Sequence, residues 1–129
     1  MSLVNAKLWK VQDDSVTINK IMPLNDTVFV IYGSRHDTTY KILSFKSDRS
    51  KSVCESIQVG VKYSLQLRSV LDDLSGPPEV RTPQAKAILI QQIDAFGFHN
   101  NFISFDKSIG IFDMFVAINL DGLCVIKNT

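Results

Sequence analysis

Cys54 to Leu71 reads CESIQVGVKYSLQLRSVL, and from Ile57 onward it alternates. Ile57, Val59, Val61, Tyr63, Leu65 and Leu67 share one parity, while Gln58, Gly60, Lys62, Ser64, Gln66 and Arg68 share the other. That is the period of a strand with one buried and one wet face. Gly60 sits near its start, where a bulge or turn can bend the chain without removing a packed side chain. The run is a structural signal and does not by itself name a function.

The half of the chain before this run is strand-rich. Leu8, Trp9 and Val11, then Val16, Ile18 and Ile21, read as two strands joined by a short hairpin loop at Asp13-Asp14-Ser15 and ended by Pro23. Thr27 to Tyr32, TVFVIY, is a continuous β-branched and aromatic run, the mark of a strand buried on both faces. Gly33 to Asp37 closes it as a polar turn, and Thr38 to Lys46 returns as the next strand. Ser47 to Ser52 is a polar loop.

Beyond Leu71 the pattern breaks at Asp72 to Pro78, a loop composition leading to one helix. Thr82 suits its N-cap, Pro83 its first position and Gly97 the position after its last turn, which places an amphipathic helix at about 83–96. His99-Asn100-Asn101 reads as the helix-exit turn. Strands follow at Asn101 to Asp106 and Ile109 to Phe112, then a hairpin of Met114 to Asn119 with Leu123 to Lys127 around Asp121-Gly122. Both parities of Met114 to Asn119 are apolar, so that strand is either central or pairs across a homodimer.

The 129 residues form a single domain with a mainly β, α+β fold. Its architecture is an antiparallel small barrel or a two-layer sandwich carrying the one helix. An oligonucleotide-binding-type barrel is the alternative, and the first four strands suit it. Such a barrel usually places its helix between the third and fourth strands, where this chain has only Ser47 to Cys54; the long helix comes after the next strand.

Lys and Arg number 14 against 13 Asp and Glu, so no global field selects nucleic acid, membrane or an acidic partner. The distribution is polarised: residues 33–71 carry a balance of +4 and residues 72–129 one of −3. No apolar run reaches a membrane span, and no cleavable leader follows Met1. Met1-Ser2-Leu3 resembles an expression leader; if a signal peptide was trimmed ahead of it, export to the periplasm or outside is favoured, and otherwise the cytoplasm is the compartment. Cys54 and Cys124 lie 70 residues apart and either bridge the middle of the chain to its end or pack as free thiols. Asn25-Asp26-Thr27 is a glycosylation sequon.

Reactive constellations are sparse. His36, Cys54, His99 and Cys124 are separated by 18, 45 and 25 residues, so no metal half-site is preassembled on one turn or strand. No nucleophile elbow and no phosphate-binding glycine loop occur. No catalytic set, metal site or cofactor is expected, and the leading reading is a non-enzymatic module that binds a protein or glycan partner. The alternative is a single-stranded nucleic-acid-binding barrel, with Lys41, Lys62 and Arg68 as an outward stripe beside the stacking rings of Tyr40 and Trp9. A small hydrolase that joins His99 to Cys54 or to a carboxylate is the third.

Overall fold

The computed structural model describes residues 11–47, 53–76 and 82–126. Among the described residues, ten strands run as β1 (Val11–Pro23), β2 (Val28–Arg35), β3 (Thr38–Phe45), β4 (Cys54–Ser56), β5 (Lys62–Ser69), β6 (Ala95–Phe98), β7 (Asn101–Ser104), β8 (Phe115–Ala117), β9 (Leu120–Asp121) and β10 (Cys124–Ile126). Between β5 and β6 the described residues form the helices α1 (Val70–Leu74) and α2 (Pro83–Gln92). The fold is mainly β, built on a closed five-stranded barrel in the order β1-β2-β3-β8-β5, with β5 returning to β1. Every neighbour is antiparallel except β3 and β8, which run parallel through Ile42 opposite Phe115 and Leu43 opposite Val116.

β1 closes the barrel by serving two partners. Its first half pairs with β5 and its second with β2, and an irregularity between Ile18 and Lys20 turns it from one to the other. A bulge supplies the local twist that such a change of partner needs. Asp13-Asp14-Ser15 is therefore not a hairpin loop; it lies within one long strand, and Asp14 faces inward. The expected strand at Leu8 and Trp9 lies outside the described residues.

The alternation that marks the central strand holds from Tyr63, with Tyr63, Leu65 and Leu67 buried and Lys62 and Ser64 exposed. It fails earlier. Residues 57–61 form a turn in which Gly60 takes φ +90°, so Val59 and Val61 are exposed while Ile57 remains in the core. Gly60 and Val61 instead bond through their backbones to Ile18, at the irregularity of β1.

Two apolar cores lie on opposite sides of the β2–β3 wall. The barrel interior holds Val16, Ile18, Ile31, Ile42, Tyr63, Leu65 and Leu67, among others. Outside the same wall, Val28, Val30 and Leu43 pack with Val70, Leu71, Phe98, Ile103, Phe105 and Met114. This second core explains the continuous apolar run of β2: both of its faces are covered, one by the barrel and one by the β6–β7 hairpin and its neighbours.

Thr82 caps α2 as expected, its hydroxyl accepting from the Ala85 amide at 3.0 Å, with Pro83 in the first turn. The helix stops sooner than the sequence suggests. Ile93 is already extended, and Ala95 to Phe98 pair with Asn101 to Ser104, so Gly97 is a strand residue rather than a helix cap. His99 and Asn100 do take positive φ, 46° and 65°, but as the two-residue turn of that hairpin. Leu89, Ile90 and Ile93 at the end of the helix lean on the second core, whereas Ile88 stays exposed.

Residues 109–112 form no strand; a 3-10 turn spans Lys107–Ile109 and ends at Gly110 with φ +84°. β8 does not pair with β10 but sits between β3 and β5, which accounts for its two apolar faces by a central position. The tight hairpin after Asp121 joins β9 to β10, and β10 also pairs with β4. Cys54 and Cys124 are bonded across that small sheet, with Cα atoms 5.5 Å apart. Among the described residues, no helix is long and apolar enough to cross a membrane.

Candidate functional site

Tyr40, Lys41, Lys62 and Arg68 do not converge. Tyr40 is half-buried with its ring edge-on to Phe115, centroids 5.3 Å apart. Lys62 is exposed at the start of β5, and Arg68 at its end donates from Nε and Nη2 to Asp73 at 3.0 and 2.7 Å. Lys41 points out of the barrel, as its parity requires, yet it is only 5% exposed because the 104–106 segment lies over it. The outward stripe of Lys41, Lys62 and Arg68 is therefore not formed. Trp9 lies outside the described residues.

Lys41 anchors a polar knot under the second core. Its ammonium donates to the Ser104 carbonyl at 2.6 Å and to Asp106 Oδ2 at 2.8 Å, and Tyr32 donates its hydroxyl to the same carboxylate oxygen at 2.6 Å. Tyr32 and Lys41 are direct cross-strand partners, so the register of β2 and β3 sets the pair before Asp106 arrives. Burial, then the bond to Asp106 and its negative charge, push the Tyr32 phenol up to about 12. Burial works to raise Asp106 as well, but the bonds from Lys41 and Tyr32 and the Lys41 charge outweigh it and hold the carboxyl below its ordinary value. Every group here is engaged with another part of the chain, so the knot fastens the hairpin to the barrel.

What the knot positions is the hairpin tip. His99 stacks on Phe45 of β3, ring centroids 3.6 Å apart and planes within 8°, and meets Phe98 edge-on at 4.6 Å. Asn101 donates to the His99 carbonyl at 2.8 Å and accepts from Asn25 of the 24–27 loop at 3.3 Å. Asn25 in turn takes the amides of Thr27 and Val28 on its own carbonyl oxygen, so the sequon asparagine organises that loop. Gly97, His99, Asn100, Asn101 and Phe102 line a depression of about 420 Å³, and Phe102 stands 88% exposed beside Gly97, its cross-strand partner. A large ring held this far into water, with amide side chains beside it on a pinned turn, is equipped to stack on a ligand and bond its polar groups.

A second depression, about 260 Å³, lies between Tyr40, Phe112, Phe115, Thr38 and Thr39 and reaches Asp113. The Asp113 carboxylate accepts from Ser69 Oγ and from the amides of Leu71 and Met114. Burial raises its pKa against those three bonds and the Lys86 charge, so this group tethers α1 to the start of β8.

Comparison with family models, curated proteins and solved structures finds no match to this chain.

Neither sulfur is available as a thiolate, since Cys54 and Cys124 are bonded to each other, and the pairing of Cys54 with His99 as nucleophile and base is not formed. Among the described residues no three His, Cys, Asp or Glu side chains cluster closely enough to hold a metal ion. Sequence reasoning takes His99-Asn100-Asn101 for a helix exit and passes over Phe102. The available signal is the pair of left-handed-tolerant residues between two short apolar runs, AFGF and NFIS, which is a hairpin pattern.

Proposed function

We propose that this chain is a non-enzymatic binding module that recognises a glycan or glycosylated protein partner outside the cytoplasm, through the tip of the β6–β7 hairpin. The observation that carries this reading is Phe102, 88% exposed on β7 beside a turn locked to the barrel by the His99–Phe45 stack. An exposed ring costs the fold solvation without adding to its core, and the amides of Asn100 and Asn101 beside it match a ligand rich in hydroxyl groups.

The barrel's strand order supports an oligonucleotide- or oligosaccharide-binding type of architecture. Barrels of that class bind with the face of their second and third strands and with the loops joining the first to the second and the fourth to the fifth. In this chain those loops are residues 24–27 and 70–114, and Asn25 of one bonds Asn101 of the other at the depression. The β2–β3 face is covered by residues 95–106, which leaves the loops as the open part. The long helix following the fourth barrel strand instead of preceding it is the departure from that class.

Single-stranded nucleic acid is the reading weighed against it, since an exposed ring also stacks on bases. No Lys or Arg lines the hairpin depression to meet phosphates, which favours a neutral glycan. The Cys54–Cys124 bridge supports an oxidising compartment.

The deciding experiment is a glycan array probed with the native chain and with Phe102→Ala, beside a thymidine oligomer at near-physiological salt. Retention on a defined glycan class, weakened about tenfold or more by Phe102→Ala at unchanged melting temperature, is the expected result. Glycan binding indifferent to Phe102, no glycan binding, or salt-sensitive capture of the oligomer instead overturns the proposal.

A further inference from the structure

A second face of the barrel carries a different chemistry. Ser15 and Thr17 of β1, Ser34 and Arg35 of β2, His36 of the following turn and Lys62 of β5 line a depression of about 370 Å³. The strand period dictates the set: Ser15 and Thr17 have the parity opposite to the inward Asp14, Val16 and Ile18. Register then aligns it, for Thr17 lies opposite Lys62 on one side and opposite Ser34 on the other. An ammonium and two hydroxyls thus stand in a row across three strands, with the Arg35 guanidinium at one end.

Each lining side chain can donate a hydrogen bond, and none is a carboxylate. Arg35 is held in place from below, by an ion pair with Asp14, which is 5% exposed and also accepts from Gln12 Nε2. A guanidinium so anchored keeps donors that a single carboxylate does not use, and its fork geometry matches tetrahedral and planar oxyanions. Ser34 makes one long contact, 3.5 Å to Asn19 Oδ1, which a stronger acceptor would displace. The turn before β3 places His36 at φ 57°, at the rim.

We propose that this depression binds a tetrahedral oxyanion, sulfate or phosphate, held between Lys62 and Arg35 and accepting from the hydroxyls of Ser15, Thr17 and Ser34. It shares no residue with the hairpin depression, so it stands or falls independently of the glycan reading. The source of the oxyanion is a free ion or a charged substituent on a larger molecule.

The test is a residue-resolved nuclear magnetic resonance titration of the isotopically labelled chain with sodium sulfate, sodium phosphate and a monosulfated monosaccharide, each against sodium chloride at matched ionic strength. Saturable shifts confined to Ser15, Thr17, Ser34, Arg35, His36 and Lys62 are expected, absent with chloride. Lys62→Gln, at an exposed position, weakens the apparent affinity about fivefold or more, whereas Lys20→Gln, which lies outside the depression, leaves it unchanged. Tighter binding of the sulfated sugar than of free sulfate assigns the oxyanion to a substituent, and equal binding assigns it to the free ion. Shifts that never saturate, that chloride reproduces, or that survive Lys62→Gln at full affinity overturn the site.

Discussion

A β-carbon at Gly33 would sit 2.2 Å from Cγ1 of Val16 and 3.1 Å from the carbonyl oxygen of Thr17. Glycine is required there by the close approach of β1 to β2, just where β1 passes from one partner to the other, and not by an unusual dihedral angle. Gly33→Ala is therefore expected to cost about 1–3 kcal/mol, the range for overpacking a filled site, measured by denaturant unfolding. An unchanged midpoint would mean that the strands part more easily than their packing implies. Lys41 makes the complementary case. Replacing it with Met leaves the half-covered Asp106 carboxylate without its cation, a loss of about 3 kcal/mol at neutral pH. The sign of the pH dependence follows from the directions of the shifts. Asp106 is lowered in the fold, so its contribution is present above its ordinary value of 3.8 and is lost as pH falls through the folded value. Tyr32 is raised from 10.0 to about 12, so its contribution is complete below pH 10 and is lost as pH rises through 12. Asp113, also raised, runs against Asp106 in acid, its contribution being fullest below 3.8 and lost as pH rises above it. Unfolding curves of Lys41→Met taken from pH 2 to 7 should accordingly lose the part of the acid slope that Asp106 supplies and keep the opposing part from Asp113. An unaltered slope would remove Lys41 from the knot.

At the scale of elements, β5 sets the clearest contrast. Leu65 and Leu67 are fully buried, while Gln66 between them engages the 118–119 segment through its backbone, its amide donating to Asn119 Oδ1 at 2.8 Å and its carbonyl accepting from Ile118. Leu65→Ala should cost about 2–5 kcal/mol and Gln66→Ala only a few tenths, compared by thermal or chemical unfolding. Equal losses would refute the register. This strand is legible in the sequence because period 2 with one wet face marks a half-buried strand and little else. β6 is not: AFGF follows the helix without a break in hydrophobicity, and nothing local says where period 3.6 ends. Gly97 is ambiguous for the same reason, since a glycine after an apolar stripe suits both a helix cap and a strand. It occupies a strand position with open surroundings, where an added β-carbon would meet only the Phe102 ring, at 3.8 Å. Gly97→Val is therefore expected to change stability by less than about 0.5 kcal/mol in the same unfolding assay, where a left-handed cap would lose about 1 kcal/mol or more.

For the whole molecule, sequence period distinguishes the inside of the barrel from its outside, but it does not say which part of the outside is surface. Lys41 and Tyr32 point away from the barrel and are nonetheless covered, because the chain returns after two helices to lay the β6–β7 hairpin and the segment behind it over them. Long-range coverage of this kind has no local signature, and it is why the binding surface proposed above lies at the hairpin tip and not on the barrel wall. The Cys54–Cys124 bridge is the other long-range tie, and it joins the edge strand β4 to β10. β4 is only three residues long and exposed along its length, so its few ladder bonds alone hold it weakly. Closing a loop of 70 residues removes enough unfolded-chain entropy to add about 4 kcal/mol of stability in the loop-closure account. Reduction should therefore lower the melting temperature by several degrees and by more than any single substitution on β4, with the barrel's far-ultraviolet signal retained below the new transition. A melt insensitive to reductant, with both thiols then free to alkylation, would show that the small sheet is held by pairing alone and would withdraw the support the bridge lends to an oxidising compartment.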